Sequence, residues 1–215
     1  GPAPRADNVG RPSWPANPGA PMHSLTLSHA ASAGWSAPLP QALDGPQTLV
    51  LVFGASRLPP DAAALLDLLA AFPGSLVVGC STAGEIAGDA VSDDSLSVAI
   101  ARFDHTRLRM AQAACPRAEQ SAAAGAALAQ QLCDGGADLR AVFVLSDGLH
   151  VNGTPLVDAL RAGLPAGVLL CGGLAGDGSA FERTWVLAGG CVADARVVAV
   201  GFYGDRLQVG SGCRG

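Results

Sequence analysis

Three loops in this chain concentrate residues that can bind or react. The first is Gly79-Cys80-Ser81-Thr82-Ala83-Gly84-Glu85, which follows an apolar run. Its small side chains leave backbone N–H groups accessible, and such amides hold carboxylates or phosphates when they point one way. Ser81 and Thr82 add hydroxyls, and Glu85 adds a carboxylate. A tight turn that needs glycine for positive φ accounts for part of this pattern. The small polar residues go beyond what a turn requires. The second loop is Gly172-Gly173-Leu174-Ala175-Gly176-Asp177-Gly178, again after an apolar run. Asp177 reads in two ways, as a carboxylate facing a pocket shared with Glu85 or as a solvated turn residue. The third loop is Ser146-Asp147-Gly148-Leu149-His150-Val151-Asn152-Gly153. It ends a buried strand, and in open α/β sheets ligands gather outside the carboxyl ends of strands. Asp147 suits an ammonium group, unless it is the acceptor of an Asx turn.

Together these loops give the candidate ligand-binding set Cys80, Ser81, Thr82, Glu85, Ser146, Asp147, Gly172, Gly173 and Asp177. In this reading the amides and hydroxyls of 80–84 and 172–176 hold a carboxylate. Asp147, with Glu85 or Asp177, holds an ammonium group. Catalytic signatures are weak. Residues 79–84 miss the G-x-S-x-G elbow because the second glycine comes too late. The enzymatic alternative takes Cys80 or Ser81 as nucleophile; for Cys80 this needs a nearby histidine, and a buried structural thiol is the simpler reading. No phosphate-loop or H-E-x-x-H motif is present. The four histidines, His23, His29, His105 and His150, lack metal-ligand spacing. No cofactor is therefore expected. The alternative is a haem iron on a single histidine, for which His150 is the choice.

The elements that must position these loops are legible in outline. Apolar runs at 25–29, 48–53, 76–80, 141–145 and 168–171 read as strands, with 48–53 (TLVLVF) buried on both faces. Residues 61–72, 118–132 and 155–164 read as helices, the first and last with proline near the start. Residues 95–103 and 107–113 read as an antiparallel pair around Asp104-His105, with His105 facing solvent. Further strands are expected at 184–187, 197–203 and 207–209.

The sequence also repeats. LVLVFGAS and AVFVLSDG begin at 49 and 141, and LVVGCSTAGEI and VLLCGGLAGDG begin at 76 and 168, both pairs separated by 92 residues without a gap. VAIARFDHTRL and VVAVGFYGDRL begin at 98 and 197, an offset of 99. The expected fold is therefore α/β, with internally duplicated βαβ-ββ units, mixed sheets packed in the middle and helices outside. The two pseudo-repeats span about 24–113 and 107–211. Residues 1–21 are rich in Gly, Pro, Asn and Ala and read as a disordered leader or an expression-tag remnant.

Composition sets the outer limits. Of 215 residues, 49% are hydrophobic and only 14% charged, with a net charge of −5. A charge-poor, mildly acidic chain is a poor partner for nucleic acid, and its apolar content argues against disorder. No apolar run reaches membrane-spanning length, so no membrane partner is expected. The six cysteines form no C-x-x-C pair and read as reduced thiols in a cytoplasmic protein. Exposed apolar strands leave a homodimer open.

The motifs GCSTAGEI, LSDG followed by Asn-Gly and a helix, GGLAGDG, F-x-x-T and VVAVGFYG, in that order, resemble the FIST N-terminal domain over about 25–215. The resemblance implies a non-catalytic sensory domain of bacterial signal transduction that binds a small molecule such as an amino acid. It also implies partners: a FIST C-terminal domain, histidine kinases, cyclic-di-GMP enzymes or chemotaxis transducers. Some members of that family are haem proteins that sense nitric oxide, which matches the haem alternative. The ending Gly212-Cys213-Arg214-Gly215 resembles the junction to the C-terminal domain. The segment 35–45 is short and broken by Pro38 and Pro40, where the family has a longer helix.

Overall fold

The computed structural model describes residues 22–88 and 90–210. The leader 1–21 and the ending 212–215, with Cys213, lie outside them. The elements are β1 (Met22–Ala30), β2 (Gly34–Trp35), β3 (Thr48–Ala55), α1 (Ala63–Ala71), β4 (Leu76–Thr82), β5 (Glu85–Ala87), β6 (Ala90–Ser92), β7 (Ser95–Phe103), β8 (Arg107–Ala114), α2 (Ser121–Cys133), β9 (Leu139–Ser146), α3 (Gly153–Gly163), β10 (Leu169–Leu174), β11 (Val186–Ala188), β12 (Cys191–Ala193) and β13 (Arg196–Tyr203). The α/β expectation holds. One sheet runs β12-β11-β4-β3-β7-β1-β2, a second runs β10-β9-β13-β8, and β5-β6 form a separate hairpin.

Three apolar clusters set the layers. Leu65, Leu68 and Phe72 of the α1 region pack on Val50, Val52, Val77 and Ile100, covering the outer face of the first sheet. Leu128, Leu132, Leu156 and Leu160 of α2 and α3 pack on Val142, Val144, Val197 and Ala199, covering the outer face of the second. Between the sheets, Leu49, Val78, Cys80 and Phe103 meet Leu145, Val198 and Val200. The central strands are buried on both faces, which is why β3 reads as a continuous apolar run. The alanine-rich sequence of α2 favours helix, and its Gly125 lets it lie close to α3. A Cβ there would overlap the Leu156 carbonyl oxygen. Helix α3 starts at Asn152, whose side chain accepts from the Thr154 amide at 3.3 Å.

Two sequence expectations are corrected. β7 and β8 do not pair. β7 lies between β3 and β1, while β8 pairs with β13 in the other sheet. Both edges of β7 are already taken, so residues 104–106 form a crossover between layers rather than a hairpin turn. Division by pairing falls there, and 107–113 belong to the second sheet alone. No strand forms at 207–209. The strand expected at 184–187 is the shorter β11, and the short strands β2, β5, β6 and β12 are not among the expected elements. The proline-broken segment 35–45 contains only the one-turn 3-10 helix Gln41–Leu43. No helix among the described residues is long and apolar enough to cross a membrane.

The strands β4-β3-β7-β1 and β10-β9-β13-β8 share one arrangement: a parallel pair, then two antiparallel neighbours. The registers differ by one residue from the gapless sequence match. Leu49 faces Leu76, but Ala141 faces Leu169 instead of Val168. As a result Gly79 faces Val52 and Gly172 faces Val144. A Cβ on either glycine would overlap the carbonyl oxygen of the facing valine. Glycine is needed here for close approach of two backbones. At Gly173, by contrast, an added Cβ meets nothing within 4 Å. Gly79→Ala should therefore lower stability by about 1–3 kcal/mol through overpacking, and Gly173→Ala should leave it nearly unchanged. Urea unfolding midpoints of the two variants check this.

Candidate functional site

The parallel strands β3 and β4 end side by side, and a cleft of about 320 Å³ opens beyond their carboxyl ends. Ser56 and Arg57 line it after β3, and Thr82, Ala83, Gly84 and Glu85 after β4. Asp93 and Asp94 enter from the turn between β6 and β7, and Asp177 to Ala180 form a further wall. Asp94 makes that turn with φ +56°, in the left-handed region. The cleft thus brings one guanidinium and four carboxylates together.

Two of those carboxylates already have structural work. Glu85 is buried, accepting from the Thr82 hydroxyl at 2.8 Å and from the amide and hydroxyl of Ser95 at 3.2 and 3.0 Å. Asp177 accepts from the amides of Glu182 and Arg183 at 2.6 and 3.0 Å. Those backbone bonds, Arg183 first, hold its carboxyl below the usual carboxylate range. Asp93 and Asp94 are exposed and carry no side-chain hydrogen bond among the described residues. Arg57 is also exposed and has no ion-pair partner among them. Arg57, Asp93 and Asp94 escaped the sequence reading. The signal for Arg57 was its place just past the carboxyl end of a parallel strand. Asp93 and Asp94 reach the cleft only through the unanticipated β5-β6 hairpin.

Asp147 is a different kind of residue from the one expected. Its side chain is fully buried. Oδ1 accepts from the Leu149 amide at 2.8 Å and the His150 amide at 2.6 Å, and lies 3.0 Å from His150 Nδ1. Oδ2 accepts from the Thr184 hydroxyl at 2.9 Å and the Ala195 amide at 3.1 Å. No acceptor is left for an ammonium group, so the Asx-turn reading is the correct one. Burial alone pushes this carboxyl up. The bonds from His150, Leu149, Thr184 and Ala195 outweigh burial and hold it below the usual range.

Two more candidates face inward. Cys80 lies in the layer between the sheets, and burial pushes its thiol up to about 12. It offers neither a thiolate nor a ligand contact. Ser81 is fully buried; its amide donates to the Trp185 carbonyl at 3.0 Å and its hydroxyl accepts from the Trp185 amide at 3.1 Å. Ser146, Gly172 and Gly173 meet in a second, mostly apolar cleft of about 290 Å³, against Leu156, Leu170 and Arg161. The candidates divide between two clefts, one on each sheet. Thr82, Glu85 and Asp177 share the first, and Ser146, Gly172 and Gly173 share the second.

His150 has its Nδ1 on Asp147, a pairing that would orient a metal-bound imidazole. A haem also needs an apolar slot beside that ring. His150 lines neither of the two clefts described above, and of its apolar chain neighbours Val151 is packed into the core of the second sheet while Leu149 is exposed. The five described cysteines are free thiols.

Comparison with known families gives one result. The model described as FIST N domain matches residues 48–215. No curated protein matches the chain.

The Asp147 network sets a pH dependence. Its folded pKa lies below the unfolded value of about 3.9. The ionised carboxylate therefore stabilises the fold above that value, and the contribution is lost as pH falls through the folded pKa. Asp147→Asn should flatten the loss of stability below about pH 4. Asp147→Ala leaves buried donors unpaired and should cost roughly 3 kcal/mol. Denaturant unfolding between pH 2 and 7 tests both.

Proposed function

The chain belongs to the FIST N domain family, the sensory domains of signal-transduction proteins, and from that premise we propose that it binds a small zwitterionic metabolite, an α-amino acid or a close relative, in the cleft beyond β3 and β4. The observation that carries this reading is Arg57 in one cleft with Asp93 and Asp94. A guanidinium presents a planar fork that matches a carboxylate. The two free aspartates supply acceptors for an ammonium group. Glu85, clamped by Thr82 and Ser95, serves as a fixed wall rather than a contact.

In this reading no bond is made or broken. The buried Cys80 thiol and the committed Ser81 hydroxyl support a non-catalytic domain. Signalling follows from differential affinity. The ligand favours whichever arrangement of the 177–180 wall it binds better, and a partner reads that arrangement. A FIST C-terminal domain, a histidine kinase, a cyclic-di-GMP enzyme or a chemotaxis transducer is the proposed partner.

A thermal-shift series against amino acids, simple amines and short organic acids tests the proposal. A ligand at 100 times its Kd adds roughly 2.7 kcal/mol, which raises Tm by about 5–10 °C at this size. The shift should appear with one amino acid and with neither the matching amine nor the matching acid. It should disappear in Arg57→Ala and in the double variant Asp93→Asn, Asp94→Asn. A shift that survives both variants would place the ligand elsewhere and sink this assignment.

A further inference from the structure

We propose that two copies of this chain pair edge to edge through β10, joining their second sheets across a twofold axis. Among the described residues β10 has one strand neighbour, β9, and its other edge is open. The strand in the same position of the first sheet is β4, which runs parallel to the central β3. Its outer edge is covered antiparallel by β11, with Val186 facing Cys80 and Ala188 facing Val78. Among the described residues β10 has no such cover, and residues 171–174 are exposed, Leu174 to 54%.

Open edges are normally blunted by lysine, proline, an inward charge or a bulge. β10 (LLCGGL) has none of these residues. The whole run from 162 to 176, AGLPAGVLLCGGLAG, carries no charged side chain, in a chain whose net charge is −5. Two acidic copies can therefore meet at this edge without opposing like charges. Beside the edge, the cleft lined by Val144, Leu156 and Leu170 continues past Arg161 into one lined by residues 164–170. This groove runs along the strand and can take side chains from the second copy.

A second copy fits better than an unrelated peptide because the contact is self-complementary. Antiparallel pairing of β10 with its own symmetry mate is isologous and closes as a dimer. It repeats the antiparallel sense of β11 on β4. It also yields one continuous eight-stranded sheet from two of four strands, within the range that twisted sheets tolerate.

Light scattering coupled to gel filtration, at roughly 1–100 μM, reads the outcome. The mass should double as concentration rises. Gly173→Lys should stay monomeric with an unchanged far-UV spectrum, because an added Cβ at that position meets nothing in the monomer. In the dimer the two Cys171 residues fall within about 8 Å of each other. A short bifunctional thiol reagent should therefore link wild type and fail on Cys171→Ser. The amides of Leu170, Gly172 and Leu174, which point away from β9, should exchange slowly in wild type and quickly in Gly173→Lys. A monomer at every concentration, a dimer that persists in Gly173→Lys, or slow exchange of the outward amides of 170, 172 and 174 in a monomer would each overturn the proposal.

Discussion

The buried carboxylate of Asp147 is the constraint on which the upper end of this fold depends. A carboxylate taken out of water must have its lone pairs filled, or it protonates and the structure around it gives way. Here the donors come from three separate stretches of chain: residues 149–150, Thr184 and Ala195. The end of β9 is thereby tied to the loop before α3, to the entry of β11 and to the entry of β13. Thr184 passes the constraint on. Its neighbour Trp185 donates its amide to Ser81 Oγ at 3.1 Å and its indole N–H to the Ala55 carbonyl at 3.0 Å. Ser81 ends in β4 and Ala55 ends β3, so a carboxylate on the second sheet fixes the rim of the cleft on the first.

The segment leaving β10 completes the tie. The Ala175 amide donates to Ser146 at 2.7 Å, and the Gly176 amide donates to Ser81 at 2.9 Å. Consecutive residues thus clasp the carboxyl ends of strands from both sheets. The apolar layer between the sheets holds them face to face, but apolar contact is not directional. It is these hydrogen bonds that set how the two strand ends align. Ser81 and Asp147 are polar residues at buried positions because this alignment needs them, not because a ligand does.

Much of this architecture was legible in the sequence. The runs that became β3, β4 and β9 are apolar enough to announce buried strands, and those of β7 and β13 are legible as strands. Helices were placed within about two to three residues because Pro155, the alanines of 121–129 and Pro73-Gly74 punctuate them. Pairing was less legible. β7 and β8, separated by a short polar link, look like any hairpin, and only the occupied edges of β7 reveal otherwise. The site was half legible for a related reason. Sequence pattern marked the small, polar residues at strand ends, but it cannot say which way they point. On a strand, neighbours face opposite sides. Thr82 therefore reaches the cleft while Ser81 turns into the protein. Arg57, Asp93 and Asp94 sit in no motif, and they enter the site only because the chain folds two separate turns toward β4.

The same strand-end geometry bears on how occupancy of the proposed site would be felt beyond it. The wall formed by 177–180 is anchored at both ends, by Gly176 on Ser81 and by Thr184 on Asp147, while Asp177 braces it internally through the amides of 182 and 183. Between the anchors, residues 178–183 are exposed, with Phe181 at φ +52° and 76% accessible. A bulky apolar side chain in left-handed backbone is a strained arrangement. A ligand that closes on Arg57 and the aspartates would press on this wall, not on the packed sheets, because well-packed interiors resist small displacements. The physical division is therefore between a packed double-sheet body that fixes the strand ends and a short exposed loop, braced by Asp177, that stands between the two anchors.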